Sequence, residues 1–415
     1  MLTTQNFGIK IEMSKTYRRQ KMKKIISIIM AAAMLMSFAL CASAQSDTKL
    51  KFSSDGKFKI LNIADCQDTY PQDERMFDFI YKVLEKYDPD LVVLGGDNAV
   101  GPGETKAEEI EALVKPYVET QTYFTMVFGN HDHQQDVDKA QLFEYYEEYG
   151  GEYFLGFNED SEESGRVGTH YLPIYASDSD EIKYALYMID SGNYEYDENG
   201  NELGYECVSK EQIEWYKNVR DELKDETGDY VPAIMFQHIV PGDVYDYLYY
   251  SSAIDLGSLG KSYYGKHYTY VPKLQNFTGY LNEGPCPGYY NYGQVDAAAE
   301  KGDVQAIFVG HDHVNSYDVE IKGLHVINTP AITYHSYSND INHGCRLIVI
   351  DEKTQTYETE VVSINALAAE DKEYADKIGM SQSTAKLYIF LDKFVMALQK
   401  TFAVFGKVLD LFGVQ

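Results

Sequence analysis

Five short polar clusters, each placed directly after a mainly apolar run, constrain the fold of this chain more than any other feature. The runs cover residues 58–63, 91–94, 123–128, 233–236 and 304–309, and each has the length of a buried strand. Open α/β sheets gather their ligands at the carboxyl ends of their strands. We therefore expect five loops to converge on one cleft. Their polar clusters are Asp65-Cys66-Gln67, Gly96-Asp97-Asn98, Gly129-Asn130-His131-Asp132, Gln237-His238 and Gly310-His311-Asp312-His313.

Helical patterns alternate with these runs, which predicts an α/β fold. They cover residues 73–85, 104–118, 137–149 and 209–223. After Gly310 the pattern changes to short strands, which indicates a second, mixed or antiparallel sheet packed on the first. These strands cover residues 316–321, 324–328, 345–351 and 356–363. The expected architecture is a layered sandwich of two mixed sheets flanked by helices, in one catalytic domain over residues 45–365.

Residues 1–44 have the pattern of a secretory signal peptide. A basic stretch at 18–24 precedes an apolar stretch at 25–40, and Ala42-Ser43-Ala44 provides a small-residue cleavage site. A lipid anchor at Cys41 is less favoured, because Leu40 occupies the place where a small residue is needed. A retained membrane anchor is also less favoured, because the apolar stretch is short for a spanning helix. We expect a secreted or periplasmic protein.

The chain is strongly acidic, with 65 acidic and 36 basic residues and a formal net charge of −29. Removal of residues 1–44, which hold seven basic residues and one acidic residue, would bring the charge to −35. Such a surface repels polyanions, and no basic stripe offsets it. Nucleic acid is therefore not expected as a stable partner. A small phosphorylated substrate can still be attracted by bound metal ions.

The residue types in the five clusters are ligands for divalent metals, which take carboxylate oxygen, amide oxygen and neutral imidazole. Asp97 has two carboxylate oxygens and could bridge two ions. A pair of ions roughly 3.5–4 Å apart is the clamp used in phosphoester hydrolysis. The residue inventory therefore indicates a two-metal hydrolase that binds Mn, Zn or Fe.

In this order, the clusters resemble the motifs of the calcineurin-like metallophosphoesterases from about residue 58 to 364. The family pattern is Asp-x-His, Gly-Asp, Gly-Asn-His-Asp/Glu, a lone His after a strand, and Gly-His-x-His, and four of these five elements match in full. The resemblance implies two metal sites that share one aspartate. The first is formed by Asp65, Asp97 and His313, with Gln67 in the place of a further ligand, and the second by Asp97, Asn130, His238 and His311.

The resemblance also assigns two catalytic residues. His131 is implied as an imidazole that stabilises the transition state or protonates the leaving oxygen, with Asp132 orienting it. The implied reaction is hydrolysis of a phosphomonoester by a metal-bridging hydroxide. A phosphodiesterase of the same mechanism is an alternative. A non-catalytic phosphate- or metal-binding protein is another.

Two residues depart from the family patterns. Gln67 stands where the family usually has the histidine of Asp-x-His, and a neutral amide oxygen is a weaker ligand than imidazole for zinc or iron. The first metal should therefore bind less tightly or be a harder ion such as manganese. Val100 stands where the purple acid phosphatases have a tyrosinate ligand. We therefore interpret the chain as lying outside that branch.

Residues 241–290 form a long insert after His238 that contains 11 tyrosines. Long loops in compact domains often act as lids or binding walls. These tyrosines are expected either to line the substrate site or to pack the insert against the body. A disulfide between Cys207 and Cys286 is compatible with export.

Residues 366–415 form a helical extension after the catalytic domain. Residues 366–378 are predicted to form a connecting helix, and residues 384–412 an amphipathic helix in which Lys386, Lys393, Lys400 and Lys407 recur every seven positions. The amphipathic helix could dock on the body, contact a second subunit or lie on a membrane surface. Docking or subunit contact is favoured at this point.

Overall fold

The computed structural model describes residues 48–134, 137–159 and 164–411. The predicted signal peptide lies outside these ranges. No helix within them is both long and apolar enough to cross a membrane.

The first sheet has five strands and contains three of the predicted strand and loop units. Its parallel part follows the chain, because β2 pairs with β3 and β3 with β4. Strands β17 and β18 extend the opposite edge in antiparallel pairing, giving the order β18-β17-β2-β3-β4. The strands are β2 (Lys57–Ile63), β3 (Leu91–Gly95), β4 (Phe124–Val127), β17 (Gly344–Asp351) and β18 (Thr356–Ser363).

The second sheet has eight strands in the order β1-β5-β6-β9-β14-β16-β15-β13. Its centre is parallel, since β9 pairs with β6 and β14, and β14 with β16. The strands are β1 (Leu50–Lys51), β5 (His170–Tyr175), β6 (Ile182–Met188), β9 (Ala233–Phe236), β13 (Phe277–Thr278), β14 (Val304–Val309), β15 (Asp318–Ile321) and β16 (Leu324–Asn328).

The two sheets pack face to face, and helices cover the outer face of each. Phe58 and Ile348 from the first sheet share a fully buried core with Phe236 and Phe308 from the second. This arrangement confirms the predicted sandwich of two mixed sheets. The helices are α1 (Glu74–Tyr87), α2 (Lys106–Glu119), α3 (Lys139–Gly150), α4 (Lys210–Thr227), α5 (Val244–Leu248), α6 (Gln294–Ala299), α7 (Ile364–Glu370), α8 (Lys372–Lys377) and α9 (Gln382–Leu411).

Local sequence signals set the helix starts. The Asp73 side chain accepts a hydrogen bond from Arg75 N at the start of α1, and Ser209 and Gln212 form a capping box at the start of α4. The predicted connecting helix over 366–378 is in fact two helices. Asp371 separates them, because its extended backbone ends α7 while its side chain caps α8.

The strands after Gly310 do not form a sheet of their own. β15 and β16 complete the eight-stranded sheet, whereas β17 and β18 complete the five-stranded sheet. The prediction of a separate second sheet from these strands was therefore wrong, because long-range pairing decides which sheet each strand joins. Two small sheets complete the fold: β7 (Tyr194–Tyr196) with β8 (Glu202–Tyr205), and, inside the insert, β10 (Tyr249–Ser252), β12 (Lys266–Pro272) and β11 (Gly260–Tyr263).

Candidate metal centre

Three glycines allow the loops after β3, β4 and β14 each to lie close to a polar side chain of another loop. A Cβ on Gly96 would lie 2.5 Å from His238 Nδ1, and a Cβ on Gly129 would lie 2.2 Å from Asp97 Oδ1. A Cβ on Gly310 would lie 2.8 Å from Asp65 Oδ2. The glycines of the motifs therefore make room for the polar side chains of neighbouring loops.

Four of the site residues also hold the left-handed backbone conformation that is uncommon for residues other than glycine. Strain of this kind costs about 1–3 kcal/mol per residue and persists where the surroundings enforce it. Its concentration in these loops is typical of functional sites. The residues are Asp65 (φ 51°), Gln67 (φ 37°), Asp97 (φ 51°) and His311 (φ 71°).

Side chains from the five loops form two clusters of buried candidate ligands that share Asp97. Asp97, His238 and His311 form one cluster, and Asp65, Asp97 and His313 form the other, with the ligand atoms within 4.8 Å of one another in each. His238 Nε2 lies 3.3 Å from Asp97 Oδ2, and His313 Nε2 lies 3.4 Å from Asp65 Oδ1. Each cluster contains the aspartates and histidines that the family resemblance implies for one metal site, and the resemblance adds Asn130 to the second site.

Buried polar atoms in the same loops lack hydrogen-bond partners among the described residues. Buried polar atoms are ordinarily hydrogen-bonded. Asn98 Oδ1 and Asp312 Oδ2 of these loops lack partners too, and four further atoms belong to predicted metal ligands. The chemistry of the set therefore fits two divalent ions. The four atoms are Gln67 Oε1, Asn130 Oδ1, His238 Nε2 and His311 Nε2.

Backbone carbonyls fix the orientation of two of the candidate histidine ligands. His238 Nδ1 lies 2.9 Å from Gly95 O, and His313 Nδ1 lies 2.8 Å from Tyr337 O. A proton on each Nδ1 would leave Nε2 as the electron-pair donor. Metal-binding histidines are commonly oriented in this way.

Electrostatics favour a cation between the two aspartates. Burial raises the pKa of Asp65 to about 8, and the neighbouring Asp97 adds to the rise. Burial opposes ionisation of Asp97 too, but His238 outweighs it, so the pKa of Asp97 lies below its ordinary value. Burial lowers the pKa of His238, but the two aspartates raise it further, to about 10. A bound divalent ion would replace these protons as the compensating charge.

His131 lies at the open side of the cluster. A third of its side chain is exposed, and its Nε2 lies 4.0 Å from Asp97 Oδ2. Its backbone N–H donates to Asp97 Oδ1 over 2.8 Å, which fixes the position of the loop. The imidazole can therefore contact a ligand in the cleft.

Asp132 has a different environment from the one predicted. Its carboxylate accepts hydrogen bonds from the backbone N–H groups of Asn98 (2.8 Å), Ala99 (2.9 Å) and Gly129 (2.7 Å). Among the described residues, none of its hydrogen bonds goes to the His131 imidazole. Asp132 thus joins the loops after β3 and β4 and does not orient His131 directly.

Three tyrosines beside the candidate metal ligands were not predicted from the motifs. The Tyr194 hydroxyl accepts a hydrogen bond from Asn130 Nδ2 over 3.0 Å, which turns the amide oxygen away from it. Tyr205 packs edge-on against His311 with ring centroids 4.4 Å apart, and Tyr337 stacks on His313 at 4.3 Å. Tyr194 and Tyr205 lie on the β7–β8 hairpin, whose short strands carry no motif.

The tyrosines of the insert make ring contacts mainly with one another. Tyr245 contacts Tyr249, Tyr263 and Tyr268, which packs α5 against the small insert sheet. Among the described residues, none of the rings that contact the candidate ligands His238, His311 and His313 belongs to the insert. The insert contacts residues beside the centre in two ways: Cys286 N donates to Asp312 Oδ1 over 3.1 Å, and the Glu283 carboxylate accepts a hydrogen bond from the Tyr337 hydroxyl over 3.1 Å. Cys207 and Cys286 are free thiols in this structure.

Comparison with known proteins agrees with this geometry. The profile of the family described as calcineurin-like phosphoesterase matches residues 58–315, which is more than half of the chain. The chain belongs to the calcineurin-like phosphoesterase family. The family and the fold predicted from the motifs are therefore confirmed.

Individual relatives differ in their described activity. The chain is 24% identical over 356 residues to "Probable inactive purple acid phosphatase 14" of Arabidopsis thaliana, covering 78% of this chain and 82% of that protein. It is 26% identical over 290 residues to "Phosphatase DCR2" of Saccharomyces cerevisiae, covering 65% of this chain and 46% of that protein. A dimetal phosphatase structure from Danio rerio has a TM-score of 0.42 and 12% identity, covering 74% of this chain and 99% of that one.

These names bear on the predicted separation from the purple acid phosphatases. Residue 100 is a valine, in agreement with the predicted separation. The first of these relatives nevertheless carries the purple acid phosphatase name. The residue at position 100 therefore agrees with a separation from the purple acid phosphatases, whereas the name of this relative does not.

Proposed function

We propose that this protein is an exported phosphoesterase that uses two divalent ions to hydrolyse a phosphomonoester. The observation that carries the proposal is the pair of buried ligand clusters that share Asp97. Two ions held there would polarise the phosphoryl oxygens and lower the pKa of bound water. Phosphoester hydrolysis is the chemistry for which such a pair is suited.

The chain's own residues have separate parts in this reaction. Asp97 draws the two sites together, while His238 and His311 complete one of them and Asp65 and His313 the other. Imidazole is a hydrogen-bond donor and a proton carrier, and His131 presents it at the open side of the centre. We assign to His131 the role of stabilising the developing charge on the phosphoryl oxygens or of protonating the leaving oxygen.

Two alternatives remain. A phosphodiesterase of the same mechanism needs the same residues. A phosphate- or metal-binding protein without activity is favoured by two observations: Gln67 stands at the usual histidine position, and one relative is named a probable inactive phosphatase. The presence of His131 at the open side of the centre favours catalysis.

The test is metal-dependent hydrolysis by the purified full chain. The protein would be stripped of metal, restored with Mn²⁺, Zn²⁺, Fe²⁺ or Mg²⁺, and assayed with p-nitrophenyl phosphate and bis-p-nitrophenyl phosphate. We expect turnover of the monoester, abolished in Asn130→Ala and His131→Ala and retained in His325→Ala, which changes a part-exposed histidine outside the centre. A preference for the diester would replace the phosphomonoesterase proposal with the diesterase. Two bound ions per chain without turnover of either ester would favour the binding protein.

Export is proposed from the pattern of residues 1–44 alone. Expression with these residues intact, followed by N-terminal sequencing of the protein outside the cytoplasm, tests it. We expect the mature protein to begin at Gln45. A chain retained in the cytoplasm with residues 1–44 intact would contradict export.

A further inference from the structure

Helix α9 packs on the body along one face. Ala385 is fully buried, the Tyr280 hydroxyl donates to Asp392 Oδ1 over 2.9 Å, and the Tyr388 hydroxyl donates to Asp340 Oδ2 over 3.2 Å. The docking expected from the sequence is therefore present. The contacts with the body are made by small, polar and a few apolar residues on one side of the helix.

The opposite face of α9 is apolar and exposed. Large apolar side chains recur there at intervals of three or four residues, which places them along one line of the helix. A continuous apolar stripe of this kind on a surface marks an interaction site. Its members and their exposed fractions are Leu387 (54%), Phe390 (63%), Phe394 (53%) and Leu398 (42%). We call these four residues the apolar stripe.

A row of lysines borders the apolar stripe. Lys386, Lys393 and Lys400 are exposed and lie seven residues apart, each directly before or close to a stripe residue. The single acid between residues 382 and 404 is Asp392, whose carboxylate is engaged with Tyr280 on the docked side. The outer side of α9 is thus basic and apolar in a chain of formal net charge −29.

From this arrangement we infer that α9 binds the surface of an anionic lipid bilayer. An amphipathic helix with exposed phenylalanine and leucine on one face and lysines beside them matches the acyl boundary and the anionic headgroups. The lysines offset the repulsion between the acidic body and such a surface. This inference does not depend on the proposed catalytic activity.

A second copy of this chain fits the stripe less well. In a helix pair whose core positions are Leu387, Phe390 and Phe394, the lysines occupy the flanking positions that usually form salt bridges. In a parallel pair the lysines would lie opposite Leu391 and Leu398 of the second helix. In an antiparallel pair they would lie opposite the same lysines of the second helix. Neither arrangement supplies the opposite charges that stabilise helix pairing.

The test is vesicle co-sedimentation of the full chain, using phosphatidylcholine vesicles with and without phosphatidylserine. A stripe variant, Phe390→Ser with Phe394→Ser and Leu398→Ser, and a lysine variant, Lys386→Gln with Lys393→Gln and Lys400→Gln, would be compared with the wild type. The matched control removes exposed apolar side chains of the insert, Ile254→Ser with Leu259→Ser and Val271→Ser. All four proteins keep the same N-terminal segment, so differences among them report on α9.

We expect the wild type and the insert control to bind phosphatidylserine vesicles equally, and each α9 variant to bind at least roughly tenfold more weakly. The lysine variant should also lose the preference for phosphatidylserine. Equal binding by all four proteins would overturn the inference. So would a stripe variant that changes the oligomeric state in sedimentation velocity while its vesicle binding is unchanged, which would indicate a second copy as the partner.

Discussion

Oδ2 of Asp97 lies 3.3 Å from Nε2 of His238, and the same carboxylate belongs to the second cluster with Asp65 and His313. One side chain therefore serves both proposed metal sites. Asp97 belongs to both clusters and Asp65 to one, so substitutions of the two aspartates should differ in their effect on metal content.

We predict that Asp97→Asn loses both ions, whereas Asp65→Asn keeps one. Asparagine is uncharged, so both clusters lose the carboxylate that they share, whereas Asp65 belongs to one cluster only. Turnover of Asp97→Asn should fall about 10³-fold, or roughly 4 kcal/mol. Metal analysis after gel filtration measures the stoichiometry, with Asp318→Asn as a control outside the centre. Equal metal content in both site variants would contradict the bridging role.

Gln67→His should strengthen the first metal site. Imidazole is a better ligand for zinc than an amide oxygen, and we expect about tenfold tighter binding, or ~1.4 kcal/mol. Histidine is among the residues that tolerate positive φ, and Gln67 has φ 37°. Competition with a chromogenic chelator measures the affinity. An unchanged zinc affinity would show that position 67 does not contribute a ligand.

A residue of this centre could be predicted from the sequence only where a local motif marks it. Asp65, Asp97 and His238 could be placed because each follows a buried strand in a family motif. Tyr194 and Tyr337 could not, because neither stands in a motif and their neighbours are set by long-range folding. The sheet that β17 joins could not be predicted either, because an apolar strand can pair with any open sheet edge. In the structure β17 pairs with β2.

Tyr194→Phe should weaken the second metal site without removing a ligand. The hydroxyl accepts a hydrogen bond from Asn130 Nδ2 and so fixes the amide with Oδ1 free. Loss of such a supporting contact typically lowers metal affinity about 10–100-fold. The control is Tyr196→Phe, which removes a hydroxyl from a half-exposed residue of the same strand. Titration of the stripped protein measures the second binding constant, and equal constants for the two variants would refute the role of Tyr194.

Gly96→Ala should disrupt the centre through contact with His238. The added Cβ would lie 2.5 Å from His238 Nδ1 at a residue with φ +92°. Gly200→Ala is the matched control, because Gly200 has φ +79° and nothing lies within 4 Å of its added Cβ. Both variants carry backbone strain of about 1 kcal/mol, so only the contact with His238 separates them. We expect metal affinity to fall in Gly96→Ala and to be preserved in Gly200→Ala, measured by the same titration.

The buried Lys139–Asp190 ion pair should make stability depend on pH in the acid range. Lys139 Nζ lies 2.8 Å from Asp190 Oδ1, and both side chains are at least nine-tenths buried. Burial opposes ionisation of Asp190, but Lys139 and Arg166 outweigh it and hold the pKa of Asp190 below its ordinary value. A lowered folded-state pKa contributes stability above the unfolded-state pKa, and this contribution is lost as the pH falls through the folded-state pKa.

Asp190→Asn should therefore lower the free energy of unfolding by about 3–5 kcal/mol at pH 7, because Lys139 is left buried without its partner. The difference from the wild type should shrink below about pH 4, near the unfolded-state pKa of aspartate. Urea unfolding across this range measures it, and Glu214→Gln, which breaks an exposed pair with Lys217, should change stability by less than about 1 kcal/mol. A difference for Asp190→Asn that stays constant down to pH 3 would show that the ionised pair is not its source.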